Sequence, residues 1–289
     1  MFEGGVDSKA GGRHTSGMSF GIAPLLYGTA WKKNDTERLV ATAIRCGFSG
    51  IDTACQPKHY DEAGVGAGVA SCLGAGLARE QLYLQTKFTP LSGQDPKRIP
   101  YDRHAPLPEQ VAQSFSVSLR NLRTHYLDCL VLHSPLATAK QTLLVWRSFE
   151  DLVDSGGVRQ LGISNCYERL QLEALFDSAR IKPKILQNRF YVDTGYDADI
   201  RALCSERAIR YQSFWTLTAN PHLLNHAIVK DLAARYRRTP AQILFRSLCQ
   251  IGITPLTGTR SETHMREDLA IAEFELEAGD CRALTRLLQ

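Results

Sequence analysis

No apolar run in the 289 residues approaches the roughly 18–20 that a membrane-spanning helix needs. A helical membrane span is therefore not expected. None of the eight cysteines, at positions 46, 55, 72, 129, 166, 204, 249 and 281, stands in a C-x-x-C pair. Neither a disulfide framework nor a zinc site is expected, and no other metal cluster is evident. Scattered thiols in apolar stretches fit reduced cysteines in a cytoplasmic protein. No long block of one charge occurs: 34 basic and 30 acidic residues leave a formal charge of +4. That balance carries no footprint of nucleic acid or a membrane surface. The first twenty residues lack the apolar core of a signal peptide and are rich in Gly and Ser. We expect a flexible leader over 1–20 and one domain over 21–289, since no linker or shift in composition divides the rest. No coiled coil or apolar stripe is evident, so a monomer is expected.

What is present is ordinary globular composition, 44% hydrophobic and 22% charged. From residue 21 onward, short apolar strand-like segments alternate with helical patterns. The strands centre near 25, 50, 84, 130, 162, 186, 211 and 255. Asp35 stands where a helix ending at Cys46 needs an N-cap, with Leu39, Val40, Ala43 and Ile44 on one face. Further helices are expected over 62–77, 109–122, 143–155, 168–179, 197–207, 222–236, 239–249 and 261–272, the last capped by Ser261 or Thr263. The stretch 89–108 is too rich in Pro and Gly to be regular. Strands alternating with helices predict a parallel sheet covered on both faces. Eight strands spaced about 33 residues apart are the number that closes a single-domain α/β (β/α)₈ TIM barrel.

The segment 48–66, FSGIDTACQPKHYDEAGVG, organises the chemistry. A buried strand ends on Asp52, a carboxylate that is costly to bury without a cation. Tyr60 follows in a polar loop, a proton donor whose ordinary pKa of about 10 is too high for easy transfer near neutrality. Other strands also end on polar residues: Lys87, His133, Ser164 with Asn165, Gln187, and Thr257 to Thr259. In a closed barrel these ends ring one mouth. Lys87 is placed to neutralise Asp52 and to lower the Tyr60 pKa. His133 is placed to donate a hydrogen bond to a carbonyl oxygen that gains charge. An acid and an oxyanion partner, without a nucleophile or metal cluster, suit hydride transfer from a cofactor.

Along nearly its whole length the chain resembles the aldo-keto reductase family. The matching pieces are GTA at 28–30, GFSGIDTA at 47–54, YDEAGVG at 60–66, LQTKF at 84–88, LVLHSP at 130–135, GISN at 162–165, LQNRFY at 186–191 and TGT at 257–259. The resemblance implies a (β/α)₈ barrel that reduces an aldehyde or ketone with a nicotinamide dinucleotide. It implies a catalytic tetrad of Asp52, Tyr60, Lys87 and His133, with Tyr60 as proton donor. It implies a carboxamide site of Ser164, Asn165 and Gln187, with Phe214 stacked on the nicotinamide. The rest of the dinucleotide is then expected against Gly28, Thr29, Asp52, Trp215, Leu217, Thr257, Gly258, Thr259, Arg260, His264, Glu267 and Asp268. Two further readings stay open: a cofactor-binding regulatory subunit, and a biosynthetic tailoring reductase acting on a complex ketone.

Three departures from the family pattern bear on function. The link from Asp52 to Tyr60 carries the extra residues CQPKH; Tyr101 is the rival acid. Gly258 stands where the family often has a lysine, and His264 where it often has an arginine. We expect NADPH, with Arg260 replacing the missing cation and NADH as the alternative. Finally, the sequence stops soon after EFEL, so the substrate pocket is expected to be open. The stretch 89–108 would then supply a wall, with Trp31, His133 and Tyr101 touching the small carbonyl substrate and His104 and Trp215 nearby.

Overall fold

A computed structural model describes residues 24–288. The expected leader, 1–20, lies outside them. Eight parallel strands close on themselves in chain order: β1 (Leu26–Gly28), β2 (Gly50–Asp52), β3 (Tyr83–Phe88), β4 (Leu127–Leu132), β5 (Val158–Ser164), β6 (Ile185–Arg189), β7 (Arg210–Phe214) and β8 (Ile253–Thr257). Leu26 pairs with Leu256 and Tyr27 with Thr257, which seals β1 against β8. The eight expected strands and their order stand as read.

The helices ring the barrel: α1 (Thr36–Cys46), α2 (Glu62–Gly74), α3 (Leu107–Leu122), α4 (Ala139–Asp154), α5 (Arg169–Ser178), α6 (Ala198–Glu206), α7 (Pro221–Asn225), α8 (Ala227–Tyr236), α9 (Pro240–Gln250), α10 (Glu262–Leu269) and α11 (Ala278–Thr285). Helix α1 buries Leu39, Val40, Ala43 and Ile44 as its spacing requires, and stops at Gly47, whose φ of 118° lets its N–H reach back to the last turn. Asp35 occupies the N-cap position of α1 but makes no cap hydrogen bond; its carboxylate is held by Arg38 and Arg260. The single helix expected over 222–236 is two helices. His226 adopts an extended ψ of 138° between them, and its Nδ1 accepts from the N–H of Ile228 to start α8. Helix α11 was not expected from the sequence.

Strand alternation sorts the side chains. In β3, Leu84 and Phe88 face the helices and join the main apolar core. Thr86 faces the same way and donates to Glu62 of α2 (2.6 Å). Glu62 also accepts from Ser118 and Asn121 of α3, so one buried carboxyl, pushed up by burial, ties α2 to β3 and α3. Gln85 and Lys87, one residue out of phase, point into the barrel. There they meet Asp52, Gln187 and Gln212. The lower interior is closed by Tyr83, Cys129, Val131 and Ile185. The polar layer therefore sits at the C-terminal mouth.

Candidate active site

Lys87 is 1% exposed, and its ammonium contacts both oxygens of Asp52 (2.8 and 2.7 Å) and the carbonyl of Thr53 (2.8 Å). Asp52 Oδ1 also accepts from Gln85 (2.7 Å) and Gln187 (2.9 Å). Gln212 closes the layer, exchanging hydrogen bonds with Gln85 and accepting from Gln187. The charge pair is thus buried with every lysine proton satisfied, the condition under which such a pair is tolerable. Gln85 and Gln212 were missed at the sequence level. Their signal was a polar residue inside an otherwise apolar strand, on the inward face.

The ring of Tyr60 lies 5.3 Å from the Lys87 ammonium and 6.1 Å, nearly edge-on, from the His133 ring. Among the described residues its hydroxyl has no hydrogen-bond partner, and Tyr60 and His133 both line the large cavity over the mouth. The expectation that Lys87 lowers the Tyr60 pKa is corrected. Burial first, and the Asp52 carboxylate second, raise it well above the ordinary phenol value. The physical reason is that the lysine charge is spent on Asp52. Burial, then the charges of Lys87 and His59, pull His133 down to about 3, so its imidazole is neutral. Its Nδ1 is 2.6 Å from the hydroxyl of Thr89.

The cavity, about 1250 Å³, runs from Tyr60 and His133 past Ser164, Gln187 and Phe214 to the tip of β8 and the face of α10. Trp215, Leu217, Gly28, Thr257, Gly258, Thr259, Arg260, His264, Glu267 and Asp268 also line it. Two expected cofactor residues do not. Thr29 is fully buried with its hydroxyl donating to the Asp52 carbonyl. Asn165 is tied to the carbonyl of His133 (2.8 Å). At the α10 end, Asp268 accepts from Thr257 (2.7 Å), and burial pushes its carboxyl up to about 6.

Of the expected substrate wall, Trp31 lines the cavity and is half exposed, its ring centre 3.9 Å from that of His59 and tilted by 38° to it. Tyr101 does not. It is buried against Phe88 and donates to the carbonyl of Thr89, so it is neither wall nor rival acid. His104 is exposed to solvent, and no residue of 89–108 lines the cavity. That stretch folds down onto the barrel flank, where Gln94 donates to the carbonyls of Cys55 and Thr89. His59, from the extra residues before Tyr60, lines the cavity and was not foreseen, nor was Lys32.

The aldo/keto reductase family model matches residues 17–211. The chain belongs to the aldo/keto reductase family. It is 30% identical over 249 residues to the uncharacterized oxidoreductase YtbE of Bacillus subtilis, across 86% of this chain and 82% of the relative. It is 28% identical to a glyoxal reductase of the same organism, across 86% and 81%. It is 26% identical to the methylglyoxal reductase DkgA of Yersinia pestis, across 92% and 89%. Among solved structures, an aldo/keto reductase from Brucella melitensis superposes with a TM-score of 0.78 at 26% identity, covering 92% of this chain and 95% of that one. Aldo/keto reductases are oxidoreductases, and that is the class of this chain.

Proposed function

We propose that the chain reduces an aldehyde or ketone to an alcohol with NADPH, and that Tyr60 is the proton donor. The observation that carries the reading is the pairing of Tyr60 with His133 at the cavity floor, above the Lys87–Asp52 pair. The phenol is held protonated by burial, which is the state an acid needs. Its hydroxyl is free to meet a carbonyl oxygen. With the Thr89 hydroxyl donating to Nδ1, His133 holds its proton on Nε2 and serves as a second donor to the same oxygen. The Lys87 charge, 5.3 Å from the ring centre, stabilises the negative charge that builds on Tyr60 as its proton leaves.

The residues present fit a nicotinamide dinucleotide. The cavity is long, Phe214 offers a ring, Ser164 and Gln187 offer polar groups beside it, and basic side chains stand at the far end. Once bound, that cofactor would supply the hydride. The names of the glyoxal and methylglyoxal reductases make small α-oxoaldehydes the first substrates to try.

The test is Tyr60→Phe, assayed for aldehyde-dependent NADPH oxidation beside the wild type. The wild type should turn over. The variant should lose about 10²-fold or more in kcat, as loss of a general acid implies, while still binding NADPH. Full activity in the variant would remove Tyr60 from the reaction.

A further inference from the structure

The extra residues before Tyr60 fold into a tight turn. The carbonyl of Gln56 accepts from the N–H of His59 (3.2 Å) and from that of Tyr60 (3.1 Å). The turn carries Gln56, His59 and Tyr60 to the cavity, and all three line it. The carbonyl of His59 accepts from the N–H of Trp31 (2.8 Å), and Trp31 is left-handed there, with φ 63°. That backbone is costly for an aromatic residue and persists only where its surroundings fix it. The wall beside Tyr60 is therefore built by this turn and Trp31.

Two side-chain atoms of the turn lack partners. Gln56 is 6% exposed. Its Nε2 donates to the carbonyl of Gly93 (2.7 Å), which sets the orientation of the amide and makes Oε1 an acceptor. That oxygen is buried without a donor, and Nδ1 of His59 is buried without a partner as well. Burial, then the Lys58 charge, pulls His59 below the ordinary histidine value, so its imidazole is neutral, with one donor and one acceptor. Buried polar atoms are ordinarily paired, and two unpaired ones beside a proton donor call for a ligand group that pairs them.

We propose that Gln56 and His59 recognise a hydroxyl on the substrate, near the carbonyl that Tyr60 protonates, and so select hydroxyaldehydes and hydroxyketones over their deoxy analogues. A hydroxyl both donates and accepts, so it serves an amide oxygen and an imidazole together; an oxo group only accepts and leaves Oε1 of Gln56 unpaired. Gln56 and His59 lie between the segments 47–54 and 60–66 that match the family pattern, so this recognition belongs to the added link. It rests on the reading of Tyr60 as the proton donor of a carbonyl reductase.

The experiment measures kcat/KM with NADPH for glyceraldehyde and for propanal, which has the same carbon chain without hydroxyls. It is run on the wild type, His59→Leu, Gln56→Met and His59→Gln, with thermal midpoints to check folding. Comparing the ratio of the two aldehydes between proteins cancels their intrinsic reactivities. The ratio of glyceraldehyde to propanal should fall about tenfold in His59→Leu and in Gln56→Met, the scale of one lost hydrogen bond. His59→Gln should recover part of the loss. Should one of the two truncated variants not fold, the other decides. An unchanged ratio, including an equal loss on both aldehydes, would overturn the proposal and leave the turn a structural feature alone. A wild type that turns over neither aldehyde would sink the reductase reading, and the proposal with it.

Discussion

Lys87 gives all three of its ammonium protons to Asp52 and Thr53, so none is left for the hydroxyl of Tyr60. The lysine acts on Tyr60 through space, at 5.3 Å from the ring centre, while its direct bonds stabilise the buried carboxylate. Asp52 and Lys87 are therefore one unit, and each is present partly for the other.

That unit makes a stability prediction. Lys87→Met strands the Asp52 carboxylate, and Asp52→Asn strands the ammonium. Each should cost about 3–5 kcal/mol of unfolding free energy, the range for breaking a buried pair from one side. The double variant should cost less than the sum of the two, because neither charge remains unpaired. Urea unfolding of the four proteins checks this, and additive losses would show that the pair is not coupled.

His133 should not titrate in the neutral range. Burial and the neighbouring positive charges hold it near 3, below its ordinary 6.5, so it is neutral at every pH above about 4. Protonation is disfavoured in the folded state, so acid would have to fall well below the usual histidine range before His133 gains charge. Its imidazole NMR signals should stay constant from about pH 5 to 8, and the rate profile should show no step from it there. Thr89→Val, which removes the 2.6 Å partner of Nδ1, should lower kcat/KM by up to about tenfold without changing NADPH affinity, as loss of one orienting hydrogen bond implies. Thr89→Ser should retain the rate.

Two glycines of α2 should respond in opposite directions to alanine. A β-carbon at Gly66 would stand 2.0 Å from the Asn121 carbonyl and 2.8 Å from the Leu122 Cα, both backbone atoms of α3. The helices must part to admit it, and Gly66→Ala should destabilise by about 1–3 kcal/mol. Gly74, at the end of the same helix, has nothing within 4 Å of that position. Gly74→Ala should stabilise by about 0.4–1 kcal/mol through the unfolded state. Thermal melts of the two variants separate these outcomes.

Much of this was legible along the chain. The run of apolar residues in β4 and the polar residue that follows each of several strands are local patterns, and they located the mouth of the barrel and Asp52, Lys87, His133 and Gln187 upon it. Helix boundaries followed where caps and glycines were present, as at Gly47 and Ser261. The break at His226 was hidden because nothing in its residue type forbids a helix; one extended ψ makes the difference.

By itself the sequence determined the alternation of strand and helix, because short apolar runs and 3.6-residue periods are local patterns. It also determined that Tyr60, Asp52, Lys87 and His133 would share one end of the barrel, since strand tips converge there. Only the tertiary structure decided the contacts outside that group. Tyr101 turned into the core because Phe88 and the Thr89 carbonyl gave its ring and hydroxyl a better place than water. Lys32 reached Gly258, 226 positions away, because closure of β1 against β8 brought the two together. Contacts of that kind depend on which ends of the chain are made neighbours and on what is left unpaired there, and no local period encodes either.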